Sequence, residues 1–336
     1  LEGDMRILVT GGLGYIGSYI VYKCVSFGLE CVIVDDLSTG KLEQHQTLEN
    51  ITGKAIPLFI CDLGDREKLS EVFSSVTINT VIHCAGKKCV SESQIKPLHY
   101  YDQNVAKGIT LLHVMECFNV YSLIFSSSAS VYSKDNVQPV TEISLTTGTT
   151  HPYAQTKLMF ENICEALSRS NARWKIGILR YFNPVGAHPE GILGDRSWRN
   201  TASLFNNIVR VIMDTDKQIE VYGANYNTRD GSGIRDFVHI DDLATAHVNL
   251  LLKMSQLKGV DVWNIGTGSG TTVLEFIECC EQIVGFGIAK SIQNRREGDL
   301  DISYCSIEKA ANYLNYQSHY KLTEMISHGL KFHNLI

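Results

Sequence analysis

Tyr153 and Lys157 stand four residues apart in the run PYAQTK, a spacing that puts both on one face of a helix with the ammonium beside the path to the phenol oxygen. Such a pair suits proton abstraction from a hydroxyl. A phenol with a pKa near 10 is a poor base at pH 7, and lowering it by about 3 units takes about 4 kcal/mol of differential stabilisation. One cation about 6 Å away at an effective dielectric of about 20 supplies roughly 3 kcal/mol, so the lysine falls somewhat short. A second positive charge, such as an oxidised nicotinamide ring, would close the gap. Tyr19 and Lys23 repeat the spacing, so the pair does not decide by itself. The discriminating neighbour is upstream, where apolar Tyr121 to Phe125 reads as a strand that ends in the serine run 126–128. Small polar residues at the carboxyl end of a strand are where ligands bind in open α/β sheets.

The elements that would position this pair begin at the amino end. Met5 to Thr10 reads as a strand, GGLGYIG follows, and a helix is predicted from Tyr15 to about Phe27. Gly11, Gly14 and Gly17 lack side chains where the backbone must turn and approach a pyrophosphate at the positive end of a helix. A second strand, Glu30 to Val34, ends in Asp35, which has the place of the acid that bonds the adenine ribose and repels a 2′-phosphate. NAD is therefore favoured over NADP. Further strands are expected at Ala55 to Cys61, ending in Asp62 and Leu63, and at Thr80 to Cys84, ending in Ala85 and Gly86. Asp62 could accept a bond from the adenine amine or cap a turn, and Ala85 and Gly86 leave room for the cofactor.

Helices are predicted over Tyr100 to Phe118, Tyr153 to Arg169, Leu204 to Met213, Leu243 to Met254, Val273 to Val284 and Ile307 to Leu314. Strands are predicted at Lys175 to Tyr181, Ile219 to Tyr222 and Val262 to Ile265. Exposed apolar positions on the first two helices suit pairing across a two-fold axis, although core packing explains them equally. The pattern predicts an α/β fold: a Rossmann-type parallel sheet with helices on both faces, plus a smaller mixed α/β substrate domain. The chain is expected to cross between them, with residues 5–183 and 236–267 binding NAD and residues 184–235 and 268–333 binding the substrate.

Across 336 residues the net charge is −6 with no long block of one sign, which gives no electrostatic support to a nucleic-acid or membrane-surface role. No apolar run approaches spanning length, and LEGDMR lacks a signal-peptide profile. The ten cysteines form no C-x-x-C pair and no metal-ligand cluster, so a reduced, cytoplasmic protein without a metal is expected.

With TGGLGYIG, HCAGKK, YYDQN, FSSSASVY, PYAQTK, LRYFNPVGAHPEG, RDFVHIDDLA, NIGTG and RREGDL in that order, the chain resembles the extended short-chain dehydrogenase/reductase family, and within it the UDP-galactose 4-epimerases. The resemblance spans about Met5 to Leu330. It implies C4 epimerisation of a UDP-hexose with bound NAD, with Tyr153 as base, Lys157 lowering its pKa and bonding the nicotinamide ribose, and Ser128 on the sugar O4. It implies cofactor contacts from the loop with Tyr15 and Ile16, from Asp35, Asp62, Leu63, Ala85, Gly86, Lys88, Asn104 and Tyr181. Nucleotide-sugar contacts fall to Asn183, Ser203, Leu204, Arg235, Arg296, Asp299 and Ser303. A homodimer is expected.

Two stretches depart from the family pattern. Ala202 and Ser203 replace an Asn-Asn pair, so an amide near the sugar phosphate is missing, and Ser133 stands where a glycine is usual after Tyr132. Two other readings compete. A 4,6-dehydratase needs an acid just after the catalytic hydroxyl, where this chain has Ala129 and Ser130. A non-catalytic dinucleotide or nucleotide-sugar sensor on the same fold has no need of Ser128, Tyr153 and Lys157 together.

Overall fold

A computed structural model describes residues 5–148, 151–200, 203–214, 217–295 and 299–336. Contacts divide the chain into two units: Leu1–Val131, Thr149–Arg180 and Ala244–Trp263, and Tyr132–Gly148, Tyr181–Leu243 and Asn264–Ile336.

The first unit is built on seven parallel strands. These are β1 (Arg6–Thr10), β2 (Glu30–Asp35), β3 (Leu58–Ile60), β4 (Thr80–His83), β5 (Ser122–Ser128), β6 (Lys175–Tyr181) and β11 (Gly259–Ile265). Their order is β3-β2-β1-β4-β5-β6-β11. The order reverses between β1 and β4, and ligands of open α/β sheets bind outside the carboxyl ends at such a reversal. The helices are α1 (Tyr15–Ser26), α2 (Leu42–Thr52), α3 (Arg66–Ser75), α4 (Val90–Ile95), α5 (Pro97–Tyr101), α6 (Lys107–Cys117), α7 (Pro152–Ser170) and α9 (Ile240–Leu251).

Strand alternation sorts the core. Leu8, Val32, Val81, Leu123, Phe125, Ile176 and Ile178 pack with α3, α6 and α7. The intervening residues turn to the opposite face, where Leu250 of α9 covers Gly177 so closely that a Cβ there would lie 2.6 Å away. The expected Rossmann sheet with helices on both faces is what folds.

The second unit holds β7 (Asn183–Val185), β8 (Ile219–Tyr222), β9 (Ile234–Arg235), β10 (Phe237–His239), β12 (Thr271–Thr272), β13 (Lys290–Gln293) and β14 (Ile302–Ser303). Its helices are α8 (Leu204–Met213), α10 (Val273–Val284), α11 (Glu308–Leu314) and α12 (Leu322–Phe332). Small sheets β10-β7, β12-β9-β14 and β13-β8 support a core of Phe205, Ile208, Phe237, Phe276, Ile277 and Ile326.

Several expectations need correction. The third strand is shorter than Ala55 to Cys61 because Pro57 has no N–H for a ladder; its carbonyl still accepts from Ile33. The strand expected to stop at Phe125 runs through Ser128. The helix over Tyr100 to Phe118 is interrupted by a π turn at Asp102–Ala106. The unit boundaries also differ: residues 132–148, 181–183, 236–243 and 264–267, assigned by sequence to the first domain, cluster with the second. Hydrogen bonds hold the first of these segments there. Val140 exchanges bonds with Tyr304 and Ser306, the Glu142 carboxylate accepts from the Asn264 amide, and the Tyr132 hydroxyl reaches Asn264 at 2.6 Å.

Candidate active site

The glycine loop shows why it must be glycine. Gly11 has φ +67°, and a Cβ on it would lie 2.8 Å from Ala85; on Gly17 it would lie 2.2 Å from the Gly11 carbonyl oxygen. Helix α1 starts at Tyr15 behind Gly14 with no side-chain cap, and the first-turn amides of a helix have no acceptor within it. Tyr15 and Ile16 open that turn, and Lys88 lies 5.8 Å above the Tyr15 ring. This cradle fits a dinucleotide pyrophosphate.

Asp35 ends β2, buried to 6 % exposure, and accepts the Leu13 amide at 3.0 Å and the Leu37 amide at 2.9 Å. Burial raises its carboxyl and the two amides oppose the rise. Asp62 accepts the Gly64 amide and bonds Lys107 at 2.5 Å; against burial, these bonds hold its carboxyl below the ordinary range. Leu63 is a core side chain. Ala85 follows β4, whose His83 is held neutral by burial and Lys157, down to about 3. Gly86 has φ +153° and a Cβ would meet the Asn104 carbonyl oxygen at 2.9 Å. Asn104 clamps this turn: it accepts the Lys87 amide, donates to the Lys87 carbonyl and donates to Thr156 on α7. Its first role is thus to fix the turn beside Gly86. Tyr181 is buried at the end of β6.

Tyr153 and Lys157 lie one turn apart on α7, and Ser128 at the end of β5 faces the phenol. The Ser128 hydroxyl is close enough to the Tyr153 phenol to pull its titration down, and the Ser130 amide and hydroxyl donate to Ser128 at 3.2 and 3.0 Å. The Lys157 ammonium is buried, donates to the Ser126 carbonyl at 2.7 Å and lies 4.9 Å over the Phe125 ring. Burial brings it down to about 8, opposed by Cys84 and Glu161. The phenol is the surprise: burial pushes it up, and only the Ser128 bond pulls it back. The protein's own groups therefore leave Tyr153 protonated at pH 7, which sharpens the expectation that a further cation completes the base.

The serines divide their labour. Ser126 donates to Cys84 and Ser127 to Glu161, both from buried positions, which leaves only Ser128 half-buried and open. Glu161 and Arg180 were not singled out by the sequence. They form a buried ion pair, Arg180 bonding both Glu161 oxygens at 3.1 and 2.6 Å. Glu161 lies one turn beyond Lys157, and that i, i+4 step is the signal that could have found it.

In the second unit Arg235 donates to the Ile234 and Leu300 carbonyls and pairs with Asp299. Asn183 donates its side-chain amide to the Asp236 carbonyl at 3.0 Å. Ser303 is in register with Arg235 on the neighbouring strand, so the two side chains share a sheet face. Ser203 caps α8, accepting the Asn206 amide, and Leu204 begins the helix against the core. Arg296 and Ala202 lie outside the described residues. Among the described residues no group of three or more His, Cys, Asp or Glu side chains could hold a metal, and no helix is long and apolar enough to cross a membrane.

A seven-stranded Rossmann sheet with this glycine cradle and a Ser-Tyr-Lys trio defines a class, and the chain belongs to the NAD dependent epimerase/dehydratase family, which matches residues 7–266. Its branch is that of the UDP-glucose 4-epimerases. It is 41 % identical to UDP-glucose 4-epimerase 2 of Arabidopsis thaliana, covering 95 % of this chain and 92 % of that one. The UDP-glucose 4-epimerase from Bifidobacterium longum, solved with NAD+ and UDP, superposes with a TM-score of 0.93 at 36 % identity over 98 % of both chains. The UDP-Glc/GlcNAc 4-epimerase of Campylobacter jejuni superposes with a TM-score of 0.86 at 28 % identity, covering 99 % of this chain and 100 % of that one.

Proposed function

We propose that the protein is an NAD-dependent enzyme that interconverts UDP-galactose and UDP-glucose by reversible C4 epimerisation through a 4-keto sugar. The observations that carry the reading are the Ser128 hydroxyl facing the Tyr153 phenol and the buried Lys157 ammonium, fixed on the Ser126 carbonyl one helical turn along α7 from Tyr153. NAD⁺ held by the Gly11 to Gly17 cradle, Asp35 and Asp62 supplies the hydride acceptor and donor at C4 and a second positive charge. Tyr153 takes the O4 proton and later returns it, and Ser128 orients O4. Lys157, fixed on the Ser126 carbonyl, stabilises the phenolate by its charge and cannot swing away. In the second unit Arg235, Asp299, Asn183, Ser203, Leu204 and Arg296 are the candidate UDP contacts. Arg235 exchanges its Asp299 partner for a diphosphate, whose oxygens its planar fork matches. A sensor without turnover has no use for the trio and is disfavoured.

Conversion of UDP-galactose by the purified protein is the test, together with Tyr153→Phe. The variant keeps its bound NAD and loses about 10²-fold or more in turnover; near-normal turnover would remove the tyrosine from the role of base.

The same site accepts N-acetylated sugars in this reading, interconverting UDP-GalNAc and UDP-GlcNAc. Ser303 is small and shares a face with Arg235. Adjacent strand residues point to opposite faces, and the Tyr304 ring lies by Gly270, where a Cβ would meet it at 3.7 Å. That placement supports a small Ser303 side chain, rather than the Tyr304 ring, beside Arg235. The similar protein of Campylobacter jejuni is itself described as a UDP-Glc/GlcNAc epimerase. Ser303→Tyr should abolish turnover of UDP-GalNAc while sparing UDP-galactose; full activity on the acetylated pair would defeat the argument.

A homodimer and a reduced, cytoplasmic setting complete the reading. Leu98 on α5 is 82 % exposed and Met159 on α7 is 41 % exposed, and all ten cysteines are free. Sedimentation gives the oligomeric state.

A further inference from the structure

Helix α6 opens on Lys107, straight after the π turn at Asp102–Ala106. A π turn winds the chain less per residue than an α turn, so residues 104 and 107, neighbours on one α-helical face, are splayed apart. Asn104 goes to the Lys87 backbone and Thr156. Lys107 goes instead to Asp62, at 2.5 Å, and to the Gln103 side-chain oxygen at 3.1 Å. Its stem is seated on Gly64, where a Cβ would lie 3.5 Å from the lysine Cγ and Cε. The lysine side chain is only 16 % exposed, whereas Asp62 keeps 46 %. An exposed ion pair of two mobile chains contributes little, but here the cation is held from behind by two acceptors and a glycine shelf. The anion remains open to solvent in front.

We propose that Lys107 is a cofactor-positioning residue: it fixes the Asp62 carboxylate as an acceptor for the adenine amino group and so sets the selectivity of the dinucleotide site at its adenine end. This rests on the reading of Asp62 as the adenine contact. An ionised carboxylate offers about four acceptor positions and donates nothing. Lys107 and the Gly64 amide use two, which leaves acceptor capacity for an exocyclic N–H. The pairing holds one rotamer, so the ordering cost is met before the dinucleotide arrives.

The test is competition on the full chain between NAD⁺ and its 1,N6-etheno analogue, whose exocyclic nitrogen carries no hydrogen, with the bound ratio read by mass analysis. The wild type is expected to prefer NAD⁺ by on the order of tenfold, the worth of one hydrogen bond to a charged acceptor. Lys107→Met should bring the ratio to within about threefold, and Lys107→Arg, which keeps the ion pair, should retain the preference. A wild type that binds both equally removes Asp62 as the adenine contact, and the proposal with it. A wild-type preference that Lys107→Met leaves intact overturns the role of Lys107 while Asp62 keeps its own. Loss of preference in Lys107→Arg equal to that in Lys107→Met also overturns it, because the pair would then not be the cause.

Discussion

Glu161 is the perturbation that most directly tests how the catalytic lysine is tuned. It sits one helical turn from Lys157, with Cβ atoms about 6 Å apart, and charges at a like separation are worth ~3 kcal/mol at an effective dielectric of about 20, or ~2 pKa units. Arg180 offsets that charge by pairing with it. Glu161→Gln keeps an acceptor for Ser127 but leaves the Arg180 cation unbalanced beside a lysine already brought down by burial to about 8. Its titration then falls toward ~6. The sign follows from which form works: the ammonium stabilises the phenolate, so lowering the lysine's pKa removes activity from the alkaline side. The descending limb of kcat against pH should move down by one to two units, with about a tenfold loss at pH 7. An uncompensated buried cation also costs about 3–5 kcal/mol, seen as a lower Tm. Glu161→Gln with Arg180→Met removes both charges and should return the limb toward its original place. The assay is UDP-galactose conversion from pH 6 to 9 on folded, NAD-loaded protein. A folded Glu161→Gln with an unmoved limb would refute the electrostatic argument.

Two further outcomes are expected. Asp35→Asn keeps an acceptor for one of the Leu13 and Leu37 amides, which go to different carboxylate oxygens, and removes the charge, so it should weaken NAD binding and relax rejection of NADP; unchanged discrimination in titrations of both would discard that role. Asp242, buried at the start of α9 and bonded by the His319 and Tyr320 amides, is raised by burial to about 6, the amides opposing. With an unfolded value near 3.9, its stability contribution is full below about pH 4 and is lost as pH rises through about 6. The Tm of Asp242→Asn should therefore show a shallower decline than wild type between pH 4 and 7, and parallel curves would exclude the carboxylate as the cause.

The sequence by itself determined the sheet, the glycine cradle, the trio and their order, because each depends on local constraints. A glycine at φ +67°, an i, i+4 pair on a helix and a polar residue after an apolar strand are all written in consecutive residues. It also placed α8 at Leu204–Met213 and β8 at Ile219–Tyr222, where amphipathic periodicity is strong. It did not reveal α2, α3 or α12. Only the tertiary structure decided what each polar group faces. The serine run looked like three exposed hydroxyls, yet Ser126 and Ser127 are sealed by Cys84 and by Glu161 from other elements. Residues 132–148 join the second unit through bonds to residues more than a hundred positions away, a partnership no local pattern encodes. The same holds for charge. The spacing of Tyr153 and Lys157 puts the two on one helix face, but burial sets where they titrate, and burial is a property of everything packed around them.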